Sequence, residues 1–150
     1  ATVNWHDLVK QMINRDIYGF ENLSLIPGSV GASPIQNIGA YGQDVSRLIS
    51  KLHCYDYKSN KFLTLSNKEC GFTYRNSILK DKPYIIYNID FKTNKSKTFN
   101  LEYDSIQNYI KSNNLDATSI TLNEVSKVII DIRNSILPNP LNIPNVGSFF

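Results

Sequence analysis

Apolar residues Trp5, Leu8, Val9, Met12 and Ile13 recur at spacings of three and four behind Asn4, whose side chain suits a helix N-cap. This pattern predicts a helix over residues 4–17, with Gly19 where a C-cap falls. The periodicity then stops. Residues 25–43, LIPGSVGASPIQNIGAYGQ, keep neither a helical nor a strand period. They hold Gly28, Gly31, Gly39 and Gly42, four of the seven glycines, together with Pro27 and Pro34. A segment so poor in side chains either turns tightly or lets its backbone approach something closely.

Strand patterns follow. Residues 48–57 and 61–65 read as a hairpin across Lys58-Ser59-Asn60. Residues 84–91 form a β-branched and aromatic strand, with Pro83 at its entry where a missing donor does least harm. Lys92 to Lys97 reads as a turn into a partner strand over 98–101. A second helix opens at Thr121, with Glu124 completing a capping-box pattern; Leu122, Val125, Val128, Ile129, Ile132 and Ile136 mark its apolar face. Residues 137–144 carry three of the six prolines and form a stiff exit. There is no internal repeat.

Composition narrows the class without reaching the chemistry. At 150 residues the chain suits one modest domain, and 41% hydrophobic with 19% charged residues predicts a folded α+β protein rather than a disordered one. No apolar run has the length of a membrane span, and the start shows no signal-peptide pattern. A net charge of +3 is too small and dispersed to point to nucleic acid. With Cys54 and Cys70 as the only cysteines, neither a disulfide framework nor a zinc cluster is expected, and a reducing cytoplasm is the natural setting.

The glycine-rich segment is the first place where chemistry enters. Clustered glycines let successive N–H groups converge on an anion, so the loop reads equally as a structural turn or as a phosphate or cofactor cradle. It is neither a P-loop nor a GxGxxG fingerprint. Arg75, in Phe72-Thr73-Tyr74-Arg75-Asn76-Ser77, suits bidentate carboxylate binding at a site edge, although composition alone favours a surface arginine stacked on its neighbour. Arg133 falls near the end of the second helix, where the dipole favours a cation anyway. Tyr103 and Ser148 carry no signal taken alone, and no His or Asp near Ser148 suggests a triad. His6 reads as a helix-surface residue and His53 as a strand residue, too far apart to suggest a metal site. Lys92, Lys95 and Lys97 read as a solvated turn.

Taken together and in order, the segments say more. Gly19-Phe20-Glu21-Asn22-Leu23 leads into Ile26-Pro27-Gly28-Ser29-Val30-Gly31, then Pro34-Ile35-Gln36-Asn37-Ile38-Gly39-Ala40-Tyr41-Gly42. With Asn4-Trp5-His6, Glu69-Cys70, Phe72, Tyr74-Arg75 and Gly147-Ser148-Phe149-Phe150, this order resembles the flavin-binding core of the UDP-N-acetylenolpyruvoylglucosamine reductase (MurB) family. The resemblance runs along practically the whole chain. PIQNIGAYG and the terminal GSFF are its specific signals.

The resemblance implies an α+β FAD-binding subdomain of the vanillyl-alcohol oxidase/PCMH type, an antiparallel sheet with flanking helices. Residues 1–137 would be the second lobe of the FAD-binding domain, and 138–150 a linker and the start of a truncated substrate-binding domain. Ile26, Pro27, Gly28, Ser29, Gly31, Ala32, Ile35, Gly39 and Ile86 are implied as FAD contacts. Gln36, Tyr41, Tyr103 and Arg133 are implied as substrate contacts, and Arg75 and Ser148 as catalytic residues. The implied activity is NADPH-dependent reduction of the enolpyruvyl group of a UDP-sugar through FAD, in peptidoglycan precursor synthesis. Arg75 would stabilise charge developing on the C2–carboxylate unit, and Ser148 would protonate C2.

Departures accompany the match. No Gly-Ser-Asn element precedes Ala1, and the chain stops before the family's C-terminal glutamate. Ile136 stands where relatives often carry Lys, and Ala32 where some carry Ser. The expectation is the middle portion of a reductase, inactive alone, with a non-catalytic FAD- or nucleotide-binding piece or a purely structural one as the alternatives. Self-association through surfaces that neighbouring lobes would otherwise cover is a further expectation, with neither nucleic acid nor membrane as partner.

Overall fold

Asn4 accepts the amides of His6 and Asp7, at 2.9 and 3.3 Å, and so starts helix α1 (Trp5–Ile13). The helix is shorter than its periodicity predicts. Asn14 is the C-cap, and Asp16, at φ 53°, turns the chain aside before Gly19 is reached. Trp5, Val9, Met12 and Ile13 are the buried face. The computed structural model describes residues 1–138 and 142–144.

Short 3₁₀ turns at 21–23, 30–32 and 45–47 and a two-residue hairpin, β1 (Gly39–Ala40) and β2 (Gln43–Asp44), organise the glycine-rich stretch. An antiparallel sheet of order β4-β3-β5 follows, built from β3 (Ile49–Asp56), β4 (Lys61–Ser66) and β5 (Tyr84–Phe91). These strands match their predicted ranges to within a residue at either end. Register pairs Cys54 with Leu63 on one side and Ile86 on the other, so the inner face is apolar while His53 and Thr64 pair on the outer face.

Residues 98–101 do not form the expected partner strand. Instead of folding back on β5, the chain crosses to Tyr18, whose amide donates to the Asn94 carbonyl at 2.8 Å. Phe99 then packs against both apolar cores of the described residues. The larger core gathers Trp5, Val9, Phe20, Leu23, Ile49, Leu52 and Cys54 beneath the sheet. The smaller lies between α2 (Asp104–Ser112), which no sequence signal above predicts, and α3 (Leu122–Ile136). Ile106 and Ile110 of α2 meet Val125, Val128, Ile129 and Ile132 of α3. Fully burying Ile106 contributes about 1.5–3 kcal/mol, enough to commit a helix whose remaining face is polar. The capping box at Thr121 and Glu124 is present in both directions, with the Glu124 carboxylate accepting the Thr121 amide at 2.7 Å. No helix of the described residues is long and apolar enough to cross a membrane.

Candidate functional site

The glycine-rich segment is held from one side. Trp5 donates its indole N–H to the Leu23 carbonyl and its backbone N–H to that of Gly28, both at 2.9 Å. Val30 and Gly31 amides donate to the carbonyls of Val3 and Ala1, each at 2.8 Å. Ser29 caps the 30–32 turn by accepting the Ala32 amide, and Ile26 and Ile35 sink onto the larger core. Pro27, Gly28 and Ala32 remain exposed. Gly28 has φ 111° and nothing within 4 Å of where a Cβ would stand, so the backbone here is bare as well as left-handed. β5 packs against the 30–32 turn, which brings Ile86 to the same region, half-buried on the larger core.

Arg75 joins this segment through three bonds from two neighbouring loops. The Asn37 side chain donates to the Thr73 carbonyl at 3.0 Å, and the Ser77 hydroxyl donates to the Ile35 carbonyl at 2.6 Å. Between them the Arg75 guanidinium donates through Nη2 to the Gly39 carbonyl. A Cβ at position 39 would stand 2.8 Å from the backbone carbonyl oxygen of Gln43 on the paired strand, besides crowding Arg75 Nη1, which is why this strand residue is glycine. Arg75 itself has φ 51°, a strained backbone for a non-glycine residue, and its guanidinium lies 4.8 Å from the centre of the exposed Tyr74 ring. The arginine is fixed rather than waving in solvent.

Just beyond β1, at the hairpin turn, a second cluster forms. Tyr41 and Gly42, at φ 49° and 75°, make the hairpin turn, both in the left-handed region that a type I′ turn requires. The Tyr41 ring meets that of Tyr103 edge-on at 5.4 Å. Tyr103 immediately precedes α2, and Arg133, in the last turn of α3, lies near enough to the Tyr41 hydroxyl for the two to influence each other's titration. Burial drives Arg133 below its ordinary value, and the tyrosine opposes that shift. Burial also raises the Tyr41 hydroxyl, and Arg133 pulls it back. Arg133 Nε is buried with no partner among the described residues. A largely desolvated guanidinium is a strong donor to an acceptor, an anion above all.

The structure therefore gathers Arg75 with Gly39, and Tyr41 with Tyr103 and Arg133. The two clusters meet the same hairpin at neighbouring positions, since residues 39 and 41 are at most about 7 Å apart along the chain. Gln36 is exposed, and Ser148, like the rest of the terminal GSFF, lies outside the described residues. The described cavities lie elsewhere. One of about 380 Å³ is lined by residues that include Tyr18, Glu21, Asn22, Gln43 and Phe99, and one of about 270 Å³ lies beside α2 and α3. Among the described residues no group of His, Cys, Asp or Glu could hold a metal ion.

Two buried asparagines were not singled out as site residues by the sequence. Asn37, at φ 47°, donates to Thr73 and accepts the Ser46 amide. Asn22 donates to the carbonyls of Tyr41 and Asn100, both at 2.8 Å, and so holds the hairpin tip. Asparagine amid glycine and proline is a turn signal, but nothing local shows which distant carbonyl its amide will find.

No protein-family model matches the chain. It is 41% identical over 153 aligned residues to a UDP-N-acetylenolpyruvoylglucosamine reductase of Amoebophilus asiaticus, covering 100% of this chain and 44% of that protein. It is 43% identical over 150 residues to the protein of that name from Neisseria meningitidis serogroup A, covering 97% and 43%. The chain thus spans less than half the length of the curated relatives it matches. The crystal structure of UDP-N-acetylenolpyruvylglucosamine reductase (MurB) from Thermus caldophilus superposes with a TM-score of 0.66 at 17% identity, over 91% of this chain and 42% of that one. At that identity the superposition establishes a shared fold.

Proposed function

The chain belongs, along its whole length, with the UDP-N-acetylenolpyruvoylglucosamine reductases, and from that premise we propose that it supplies the flavin-facing and substrate-facing wall of an FAD- and NADPH-dependent reductase of an enolpyruvyl UDP-sugar. We assign residues 1–137 to the second lobe of the flavin-binding domain, with 138–150 leading into a substrate domain. The observation that carries the reading is the Arg75 guanidinium bonded to the Gly39 carbonyl, with Tyr41, Tyr103 and Arg133 gathered at the turn of the same hairpin. The two reduced, buried cysteines fit the cytoplasm.

The residues present fit a flavin. Bare backbone at Gly28, the capped 30–32 turn and the apolar flank of Ile26, Ile35 and Ile86 suit a nucleotide-linked ring system approaching closely. When bound, FAD supplies hydride transfer, fed by NADPH. The chain's own residues handle charge and position. Arg75, oriented by its bond to the Gly39 carbonyl, stabilises the negative charge that develops on the substrate's C2–carboxylate unit as C3 is reduced. Arg133, largely desolvated, binds an anionic group of the substrate, and Tyr41 and Tyr103 give its apolar portion two ring surfaces. Ser148 provides the proton for C2.

The test begins with the chain itself, mixed with FAD, desalted and read by flavin absorbance. We expect retained flavin without NADPH oxidation from these 150 residues alone, and loss of retention in Gly28→Val, whose φ of 111° a branched residue does not tolerate. Arg133→Ala should weaken UDP binding about tenfold or more while leaving flavin in place, the effect of one lost charge-assisted bond. A chain that never retains flavin overturns the reading.

A further inference from the structure

His6 lies on α1, half-buried, and accepts the Leu25 amide at its Nδ1, 3.0 Å away. An imidazole nitrogen accepts only while it carries no proton, so the ring is neutral with its proton on Nε2. The residue it holds is unusual. Leu25 has φ 59°, a left-handed conformation in a branched, non-glycine residue, and it leads directly into Ile26-Pro27-Gly28. Three bonds from Trp5 and His6 tie this bend to α1: the indole to the Leu23 carbonyl, the imidazole to the Leu25 amide and the Trp5 amide to the Gly28 carbonyl. Of the three, only the imidazole bond has an acceptor that a proton can remove.

We propose that His6 is a positioning residue for the 25–28 bend: its neutral, Nε2-protonated ring holds Leu25 left-handed, and protonation breaks that bond and loosens the backbone presented at Pro27 and Gly28. The functional meaning rests on the flavin reading above, whereas the latch itself does not. The charged groups facing the ring are Asp7 and Lys10 on its own helix and Arg133 from α3. Burial opposes protonation most, Lys10 and Arg133 add to it, and Asp7 works against them, so the folded ring titrates below its ordinary value of 6.5. The sign follows from a lowered folded pKa: the latch contributes fully above 6.5 and is lost as pH falls through the lower folded value. At neutral pH the bend stays closed.

The experiment is long-range proton–nitrogen NMR on the nitrogen-15-labelled chain, in which His6 and His53 are the only histidines and His53→Gln assigns them. We expect the Nε2–H tautomer for His6 and a Leu25 amide protection factor that falls in step with its titration. His6→Ala should lower that protection about fivefold or more above the His6 titration, the size of one net hydrogen bond, and leave it at the parent's level below it. His6→Asn, whose Oδ1 reaches the place of Nδ1, should keep it and remove its pH dependence. An Nδ1–H tautomer overturns the proposal, as does Leu25 protection that ignores the His6 titration. Equal loss in His6→Asn and His6→Ala reduces the residue to packing and overturns it too. Flavin retention measured alongside separates the two readings, because a chain that never binds FAD defeats the flavin wall and leaves tautomer and exchange data to decide the latch.

Discussion

Gly39→Ala is the sharpest probe of how Arg75 is held. An added Cβ would stand 2.5 Å from Arg75 Nη1, 2.8 Å from the Gln43 carbonyl oxygen and 3.0 Å from Asp44 Cβ. The guanidinium can swing away, but the Gln43 carbonyl is backbone of the paired strand β2 and yields only by distorting the hairpin. Overpacking of this kind costs about 1–3 kcal/mol. Losing the half-exposed Arg75 bond to the Gly39 carbonyl adds about 1 kcal/mol. The sum, about 2–4 kcal/mol, corresponds to a Tm about 4–16 °C lower for a chain of this length. Arg75→Ala alone should cost about 1 kcal/mol. The double variant should be more stable than the sum of the singles implies by about 1 kcal/mol, because the same guanidinium contributes to both losses. Urea unfolding followed by the fluorescence of Trp5, the sole and fully buried tryptophan, reads all three variants. Additivity of the two substitutions, or a Gly39→Ala protein as stable as the parent, refutes the placement of the guanidinium on Gly39.

The remaining predictions concern the framework around that strand. Asn22→Ala strands the Tyr41 and Asn100 carbonyls and should cost about 2–4 kcal/mol by the same unfolding assay; a loss below about 0.5 kcal/mol would show that the hairpin tip does not depend on it. Burial raises the Glu21 carboxyl above its ordinary 4.5, partly offset by amide donors that include Gly19 at 2.7 Å. Its stabilising contribution is therefore complete below 4.5 and lost as pH rises through the folded value, so Glu21→Gln should gain stability relative to the parent between acid and neutral pH. A gap in Tm that does not change with pH contradicts this. Cys54 and Cys70 are both buried, and the Cys70 thiol is pushed up to about 11, so both should resist alkylation in the native chain and react fully in denaturant. Rapid native labelling of either refutes the burial.

Local chemistry alone specified the parts whose causes lie within a few residues. The cap at Asn4 and the box at Thr121 and Glu124 satisfy their own backbone, and the β-branched run of 84–91 favours an extended chain by its own side chains although its hydrogen bonds go to β3. Where the cause is distant, the pattern misleads or falls silent. Residues 98–101 look like a strand, yet Phe99 is claimed by two cores at once and the segment never pairs. Helix α2 offers only Ile106 and Ile110 as buried positions, and the spacing of four between them gains meaning only once α3 lies alongside. The site follows the same division. Glycines and prolines announce a bare bend, but the Arg75 bond to Gly39 closes over 36 residues and the Asn22 bond to Asn100 over 78. Such bonds are chosen by how the cores pack, since a guanidinium or amide will take whichever carbonyl the folded backbone brings within reach.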